Sequence, residues 1–292
     1  MLSIILINHN AKDFTADCIQ SIYDKTTVPF EIILVDNNSS DDSPSYIKEK
    51  FPQVRLIENK SNRGFATANN QGIKISKGKL LILLNNDTVL KNNALDKMFE
   101  YMDKNPEIGI LACKLFDADG KTVQHNCRAF PSPVGTMFGR ASLFTKLMPN
   151  NPISKRNLLL NWDYSSVKEA DWVSGAALMV KREAIEQIGL LDENFYMYWE
   201  DTDFCKRAKD AGWQICFFPE AQIIHFTGKG GGKRNFLLSS NTIYQMHKSA
   251  YYYFRKYHLK SRLNPMTAVT FLGFIILTAL KVALNSIKMA AK

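Results

Sequence analysis

Cysteine is too sparse and scattered in this chain to build a disulfide framework. The 292 residues hold five, Cys18, Cys113, Cys127, Cys205 and Cys216, an odd number with no C-x-x-C pair. The same spacing excludes a cysteine zinc site and points to a reducing compartment. No basic n-region or small-residue cleavage site accompanies the apolar start, Leu2 to Ile7, which reads as a first strand rather than a signal peptide. Internal repeats and low-complexity tracts are also missing. Asp and Glu are absent from Ala221 to Lys292, a stretch with 11 Lys and Arg. The residues before it hold the other 26 basic side chains and all 28 acidic ones, so the net charge of +9 sits on the tail. A nucleic-acid-binding protein spreads its basic residues over one binding face, so no nucleic-acid partner is expected. The tail is suited to an anionic surface instead.

What is present fits an ordinary globular protein, with 46% hydrophobic and 22% charged residues. The length suffices for one large domain, or a domain with an appendage. Short apolar runs alternate with helical patterns up to residue 112, predicting βαβ units and a mostly parallel sheet. Strands are expected at Leu2 to Asn8, Glu31 to Val35, Val54 to Glu58, Leu80 to Leu84 and Ile108 to Ala112. Helices are expected around Asp13 to Asp24, Phe65 to Ser76 and Asn92 to Asp103. From Phe130 to Asn161 periodicity dissolves, as in a functional loop or lid. It returns at Trp172 to Val180, in helices near Arg182 to Ile188 and Asp201 to Ala211, and in a strand at Trp213 to Phe218.

Polar clusters stand at the tips of these runs, where loops of a parallel sheet meet ligands. Asp36, after an apolar strand, opens Asp36-Asn37-Asn38-Ser39-Ser40; its carboxylate can accept from a base or ribose, or the cluster is a turn and helix cap. Arg63-Gly64 at the start of a helix offers a guanidinium and free N–H groups to a diphosphate, although glycine also suits such a junction for backbone reasons. Asn85-Asn86-Asp87 closes the fourth strand with oxygens able to hold a hard cation; a helix-start role for Asp87 stays open. Tyr196-Met197-Tyr198-Trp199-Glu200-Asp201-Thr202-Asp203 sets three carboxylates at a helix start among aromatic rings. Dipole matching explains part of this, but desolvation beside rings also raises a carboxylate's pKa and suits it to act as a base. His225, after Ile223-Ile224, reads alone as a structural histidine.

The order of these clusters, with Val173-Ser174-Gly175-Ala176, resembles glycosyltransferase family 2 over roughly residues 2 to 228, nearest its rhamnosyltransferase-like bacterial branch. The resemblance implies a GT-A type, Rossmann-like nucleotide-binding fold and an inverting displacement on a nucleotide sugar. It assigns Asp201 as general base and Asp87 as the last residue of a D-x-D metal motif. His225, 24 residues after Asp201, matches a metal-binding histidine. Asp36, Asn38, Arg63, Gly64, Asn86, Trp172, Ser174, Gly175 and Glu200 fall to the nucleotide sugar. One departure stands out: Asn85 occupies the place of the first Asp of D-x-D. The cofactor implied is Mn²⁺ or Mg²⁺, with imidazole ligation tilting toward manganese.

A division into a catalytic domain at 1–228 and a tail at 229–292 follows. Gly228 to Arg234 is a glycine-rich basic loop, suited to closing over phosphates or to linking. Tyr251 to Tyr257 interleaves aromatic and basic residues as membrane-interface segments do. The uncharged part of the apolar run, Met266 to Leu280, spans about 22 Å as a helix, short of a hydrocarbon core of about 30 Å. Continued to Leu284 with Lys281 snorkelling it reaches about 28 Å. Spanning, lying in the interface, and pairing two copies as a homodimer are all open to it. The expected partners are a dTDP- or UDP-sugar donor and a lipid-linked saccharide acceptor, at the cytoplasmic face of a bacterial cell membrane. Two other activities remain: transfer to polyprenyl phosphate, and nucleotide-sugar binding without catalysis.

Overall fold

The computed structural model describes residues 1–132, 147–148, 151–157, 159, 162–227, 240–259 and 272–283. Most of the 130–161 stretch, the Gly228 to Arg234 loop and the start of the apolar run lie outside them. In chain order the elements are β1 (Leu2–Asn8), α1 (Lys12–Lys25), β2 (Phe30–Asp36), α2 (Ser43–Lys50), β3 (Arg55–Glu58), α3 (Phe65–Ile75), β4 (Leu80–Asn85), β5 (Thr88–Leu90) and α4 (Ala94–Lys104). They continue with β6 (Ile108–Phe116), β7 (Val123–Gln124), β8 (Cys127–Arg128), α5 (Pro152–Asn157), β9 (Lys168–Glu169), β10 (Trp172–Val173), β11 (Ala177–Lys181) and α6 (Arg182–Ile188). Last come α7 (Glu200–Asp210), β12 (Gln214–His225) and α8 (Ser240–Tyr257), followed by a helix at 272–283.

The main sheet runs β3-β2-β1-β4-β11-β6-β12-β5, with β7 and β9 paired to β6 and β12. Pairs β1/β2, β1/β4, β2/β3 and β6/β12 are parallel, whereas β11 runs antiparallel between β4 and β6. The sheet is mixed, with helices on both faces, as expected of an α/β fold with a mostly parallel central sheet. Both faces are covered, as strand alternation dictates. Leu2, Ile4, Leu6, Leu80, Ile82 and Leu84 pack on Cys18, Ile19, Ile22, Leu95 and Met98 of α1 and α4. Ile5, Leu81, Leu83, Ile110 and Val180 meet Ala66, Ile73, Phe204 and Ala208 of α3 and α7 on the opposite face. Each such Leu or Ile contributes about 1.5–3 kcal/mol by leaving water. At Gly72 of α3 a Cβ would stand 2.6 Å from Ile5 Cγ2, so this helix approaches the sheet as only glycine permits.

The expected single run at Trp172 to Val180 divides into β10, paired with β8, and β11, inserted in the main sheet. Tyr251 to Tyr257, read above as an interface segment, belongs to α8, and its aromatic residues pack on protein: Tyr253 and Phe254 are buried. Their rings lie 5.1 and 5.7 Å from that of Trp199. The apolar payload of the segment is used there rather than left for lipid. No described helix is long and apolar enough to cross a membrane.

Candidate active site

Strand direction gathers the predicted clusters at one rim. The parallel strands β1, β2, β4 and β12 end there in Asn8, Asp36, Asn85 and His225. Because β11 runs the other way, its start lies at that rim, with Ala177 opposite Leu84 and the Ala176 carbonyl accepting from Asn85 N at 2.9 Å. Ser174 and Gly175 are brought there with it.

Asn8 is a fully buried hub. Its amide donates to Asp36 Oδ1 at 2.7 Å and Ser39 Oγ at 3.0 Å, and its oxygen accepts from Thr15 Oγ1 and Asn86 Nδ2. Asp36 also accepts Ser39 N and Ser39 Oγ, so both its oxygens are engaged within the chain and the loop is held as a turn. Asn38 follows, exposed and at φ 67. Next to it Asn37 ties the second cluster down, donating to Asn62 Oδ1 and the Gly64 carbonyl while accepting from Arg63 N at 2.8 Å. Arg63 is exposed at the mouth of this turn. Gly64 sits at φ 80, and a Cβ there would stand 2.5 Å from the Tyr196 carbonyl oxygen, which already accepts from Phe65 N at 2.7 Å. The second cluster therefore rests directly on the fourth.

The fourth cluster turns sharply. Tyr198 and Trp199 both adopt left-handed backbone, at φ 65 and 74, costing about 1–2 kcal/mol each for residues other than glycine. Ser249 Oγ of α8 donates to the Met197 carbonyl at 3.0 Å, and Tyr253 and Phe254 cover Trp199. Lys256 and the Tyr257 hydroxyl both donate to the fully buried Asp203, which also accepts from Arg207. The turn delivers Glu200 and Asp201 to the first turn of α7, where the helix dipole favours negative charge.

Asp201 is half-buried; it accepts from Gly175 N at 3.0 Å and Thr202 N at 2.7 Å. Burial raises its pKa, and these N–H groups partly oppose the rise. Glu200 is buried, and its Oε2 has no hydrogen-bond partner among the described residues. Burial, and then the Asp201 charge, push the Glu200 pKa well above the ordinary carboxylate range. A base raised in this way takes a proton from a hydroxyl more readily than a free carboxylate does. Trp172, by contrast, is turned to its own strand pair: Nε1 donates to the Ala129 carbonyl and Arg128 lies over the ring.

At the other side of the rim His225 Nε2 stands 3.3 Å from Asp87 Oδ1 and 3.3 Å from Asn85 Nδ2. Phe226 N donates to the Asp87 carbonyl, locking the two segments together. Among the described residues no group of three or more His, Cys, Asp or Glu side chains is placed to hold a metal ion. A carboxylate oxygen and an imidazole nitrogen are donor types that a divalent cation takes, and Asp87 and His225 bring one of each to this side of the rim. Sequence reasoning missed Gln124, whose Oε1 is 2.9 Å from His225 Nδ1; it lies in a two-residue strand with no local pattern to mark it.

The fold is one shared by solved glycosyltransferases. The glycosyl transferase family 2 model matches residues 3–162, and the chain belongs to that family. It is similar to the N-acetylglucosaminyl-diphospho-decaprenol L-rhamnosyltransferase of Mycobacterium tuberculosis, 26% identical over 88% of this chain and 85% of that protein. A low-salt glycan biosynthesis hexosyltransferase of Haloferax volcanii is 26% identical over 71% of this chain and 61% of its own length. Among solved structures, a mannosyltransferase from Pyrobaculum calidifontis in complex with GDP-Man and Mn²⁺ shares the fold at a TM-score of 0.60 and 15% identity, covering 99% of this chain and 74% of that one.

Proposed function

We propose that this glycosyltransferase is inverting and divalent-metal-dependent. In this reading it moves a hexose, rhamnose for preference, from a dTDP- or UDP-sugar to a lipid-linked saccharide in bacterial surface-polysaccharide synthesis. The observation that carries it is Asp201, a half-buried carboxylate of raised pKa on the rim that also holds Asp87 and His225. Asp201 takes the acceptor hydroxyl proton as that oxygen attacks the anomeric carbon. The carbon–oxygen bond to the diphosphate breaks on the opposite face, and the configuration inverts. Asp87 and His225 would hold Mn²⁺ or Mg²⁺, which neutralises charge on a leaving diphosphate. Arg63 and the N-terminus of α3 supply further positive potential.

Placement at the cytoplasmic membrane face is supported by the helix at 272–283, where Leu272, Ile275, Ile276, Leu277 and Leu280 are exposed in a chain segment without acidic residues. The acceptor named for the Mycobacterium relative, a diphospho-decaprenol saccharide, agrees with that placement. A panel of nucleotide sugars, scored by nucleotide release, identifies the donor. In the same assay Asp201→Asn should keep nucleotide binding and lose turnover by about 10²–10⁴-fold. Near-full turnover in that variant points to an already ionised polyprenyl phosphate acceptor; binding without turnover in the parent protein means a non-catalytic binder.

A further inference from the structure

We infer that Gln124 is a positioning residue: it fixes His225 with its proton on Nδ1 and so leaves Nε2 as the nitrogen facing Asp87. The inference rests on the proposed metal-binding role of Asp87 and His225 only for its consequence, not for the geometry that carries it. Gln124 Nε2 lies 2.7 Å from Asp117 Oδ1, 2.9 Å from the His225 carbonyl oxygen and 2.8 Å from Thr227 Oγ1. Two of these are obligate acceptors, a carboxylate and a backbone carbonyl. Turning the amide over would set its oxygen against both, so the NH₂ must face them. The Gln124 oxygen is thereby committed to the His225 side, 2.9 Å from Nδ1. An amide oxygen only accepts, so Nδ1 must carry hydrogen. Thr227 Oγ1 stands 3.5 Å from the same nitrogen, too far to replace that bond.

The consequence falls on the other ring nitrogen. With Nδ1–H held, Nε2 of a neutral ring presents a lone pair toward Asp87 Oδ1, 3.3 Å away, and Asn85 Nδ2. The Asn85 amide can donate to that lone pair, and a divalent cation between Nε2 and the Asp87 carboxylate would use it instead. Free imidazole favours hydrogen on Nε2, which would block ligation, so the ring must be held in its other form for Nε2 to bind metal. Outer partners of this kind typically change metal affinity about 10–100-fold. Gln124 is itself anchored by pairing of β7 with β6, which sets it opposite Leu115.

The test uses full-length protein with nitrogen-labelled histidine, a tractable label because the chain has five. Long-range proton–nitrogen spectra are taken without metal, well above the ordinary imidazole pKa of about 6.5 so that the neutral ring is observed. His225, assigned with His225→Gln, should show hydrogen on Nδ1. Gln124→Met, similar in volume but without the amide, should shift the ring toward Nε2–H and weaken Mn²⁺ binding in the presence of nucleotide at least tenfold. Melting curves verify that the variant is folded, and an Asp117→Asn variant, which keeps an acceptor oxygen for the amide, should retain the Nδ1–H form. Hydrogen on Nε2 in the parent protein overturns the inference, as does a folded Gln124→Met protein with unchanged tautomer. If the parent protein shows Nδ1–H yet binds no Mn²⁺ with nucleotide present, the metal reading of the site fails while the positioning of the ring by Gln124 stands.

Discussion

Replacing Glu200 with Gln should make the protein more stable at neutral and alkaline pH, and hardly alter it in acid. Glu200 is 5% exposed, and its Oε2 finds no partner among the described residues. Burial first, and the neighbouring Asp201 charge second, raise its pKa well above 4.5. Between the unfolded value of about 4.3 and that raised value, the folded protein holds a proton that the unfolded chain releases, so stability falls as pH rises through the window. Above the folded pKa, the wild type carries the whole cost of a buried charge with an unsatisfied oxygen. An unsatisfied buried group costs about 1–3 kcal/mol, and a gain of about 2 kcal/mol in a chain of this size raises Tm by roughly 4 °C. Glu200 and Asp201 titrate as a pair, so the transition will be broad. Urea unfolding of both proteins at about pH 4 and about pH 8 checks this, because the two values bracket the onset of the window. A Gln variant less stable than wild type at the higher pH would refute the reasoning, and so would a gain of equal size at both values. The same variant tests the assignment of Glu200 to the nucleotide sugar: a higher KM in the more stable protein means the charge is kept for substrate.

Two other perturbations probe the supports of the rim. Gly64→Ala must place a Cβ 2.5 Å from the Tyr196 carbonyl oxygen and 2.7 Å from Tyr196 Cδ2 at a φ of 80; a loss of about 2–5 kcal/mol is expected from strain and overpacking together, read by urea unfolding, and a loss under about 0.5 kcal/mol would contradict that geometry. Lys256→Met removes a cation from Asp192 and from the fully buried Asp203; because Lys256 is partly exposed and Arg207 remains on Asp203, about 1–2 kcal/mol is expected, below the 3–5 of a fully buried pair. Burial would raise the Asp192 pKa, but its bonds to Lys256 and Asn194 outweigh that and hold it at about 2. This contribution is present above the unfolded value of about 3.9 and is lost as pH falls toward 2, so the gap between the two proteins should close in acid unfolding curves.

Much of the fold was legible because β1 and β4 alternate between two apolar faces, so Leu2, Ile4, Leu6 and Leu80, Ile82, Leu84 could be read as strands before any contact was known. The helix α2 was not, because Asp41-Asp42-Ser43-Pro44 reads as a turn and its eight residues carry little periodicity. Strand β5 is three residues long and exists only through its antiparallel pairing with β12. The last strand runs on from Phe218 to His225 because a shift in register between Phe218 and Gln222 absorbs Pro219 and Glu220, which locally look like a stop. In the site, Asp36 and Asp87 were visible as polar residues at the ends of apolar runs, and Asp201 as a carboxylate among aromatic residues at a helix start. His225, by contrast, became a ligand candidate only through the family resemblance. Gln124 was not visible, since its meaning comes from His225, 101 residues away.

Helix α8 shows why an aromatic and basic pattern does not by itself choose between lipid and protein. Ser249, Tyr252, Tyr253, Lys256 and Tyr257 recur at intervals of three and four residues, so they share one helical face. That face meets the segment from Asp192 to Asp203 through Tyr252 on Asp192, Lys256 on Asp192 and Asp203, and Tyr257 on Asp203. The pattern would serve equally well in a headgroup layer, where rings and cations also stand side by side. What distinguishes the two is a matching demand elsewhere in the chain: a buried Asp203 in need of donors, and two left-handed residues, Tyr198 and Trp199, that cost about 2–4 kcal/mol together unless packing holds them. Neither demand is visible from positions 251 to 257 alone. The apolar residues left exposed lie instead on the helix at 272–283, while α8 is taken up in holding the turn that presents Asp201.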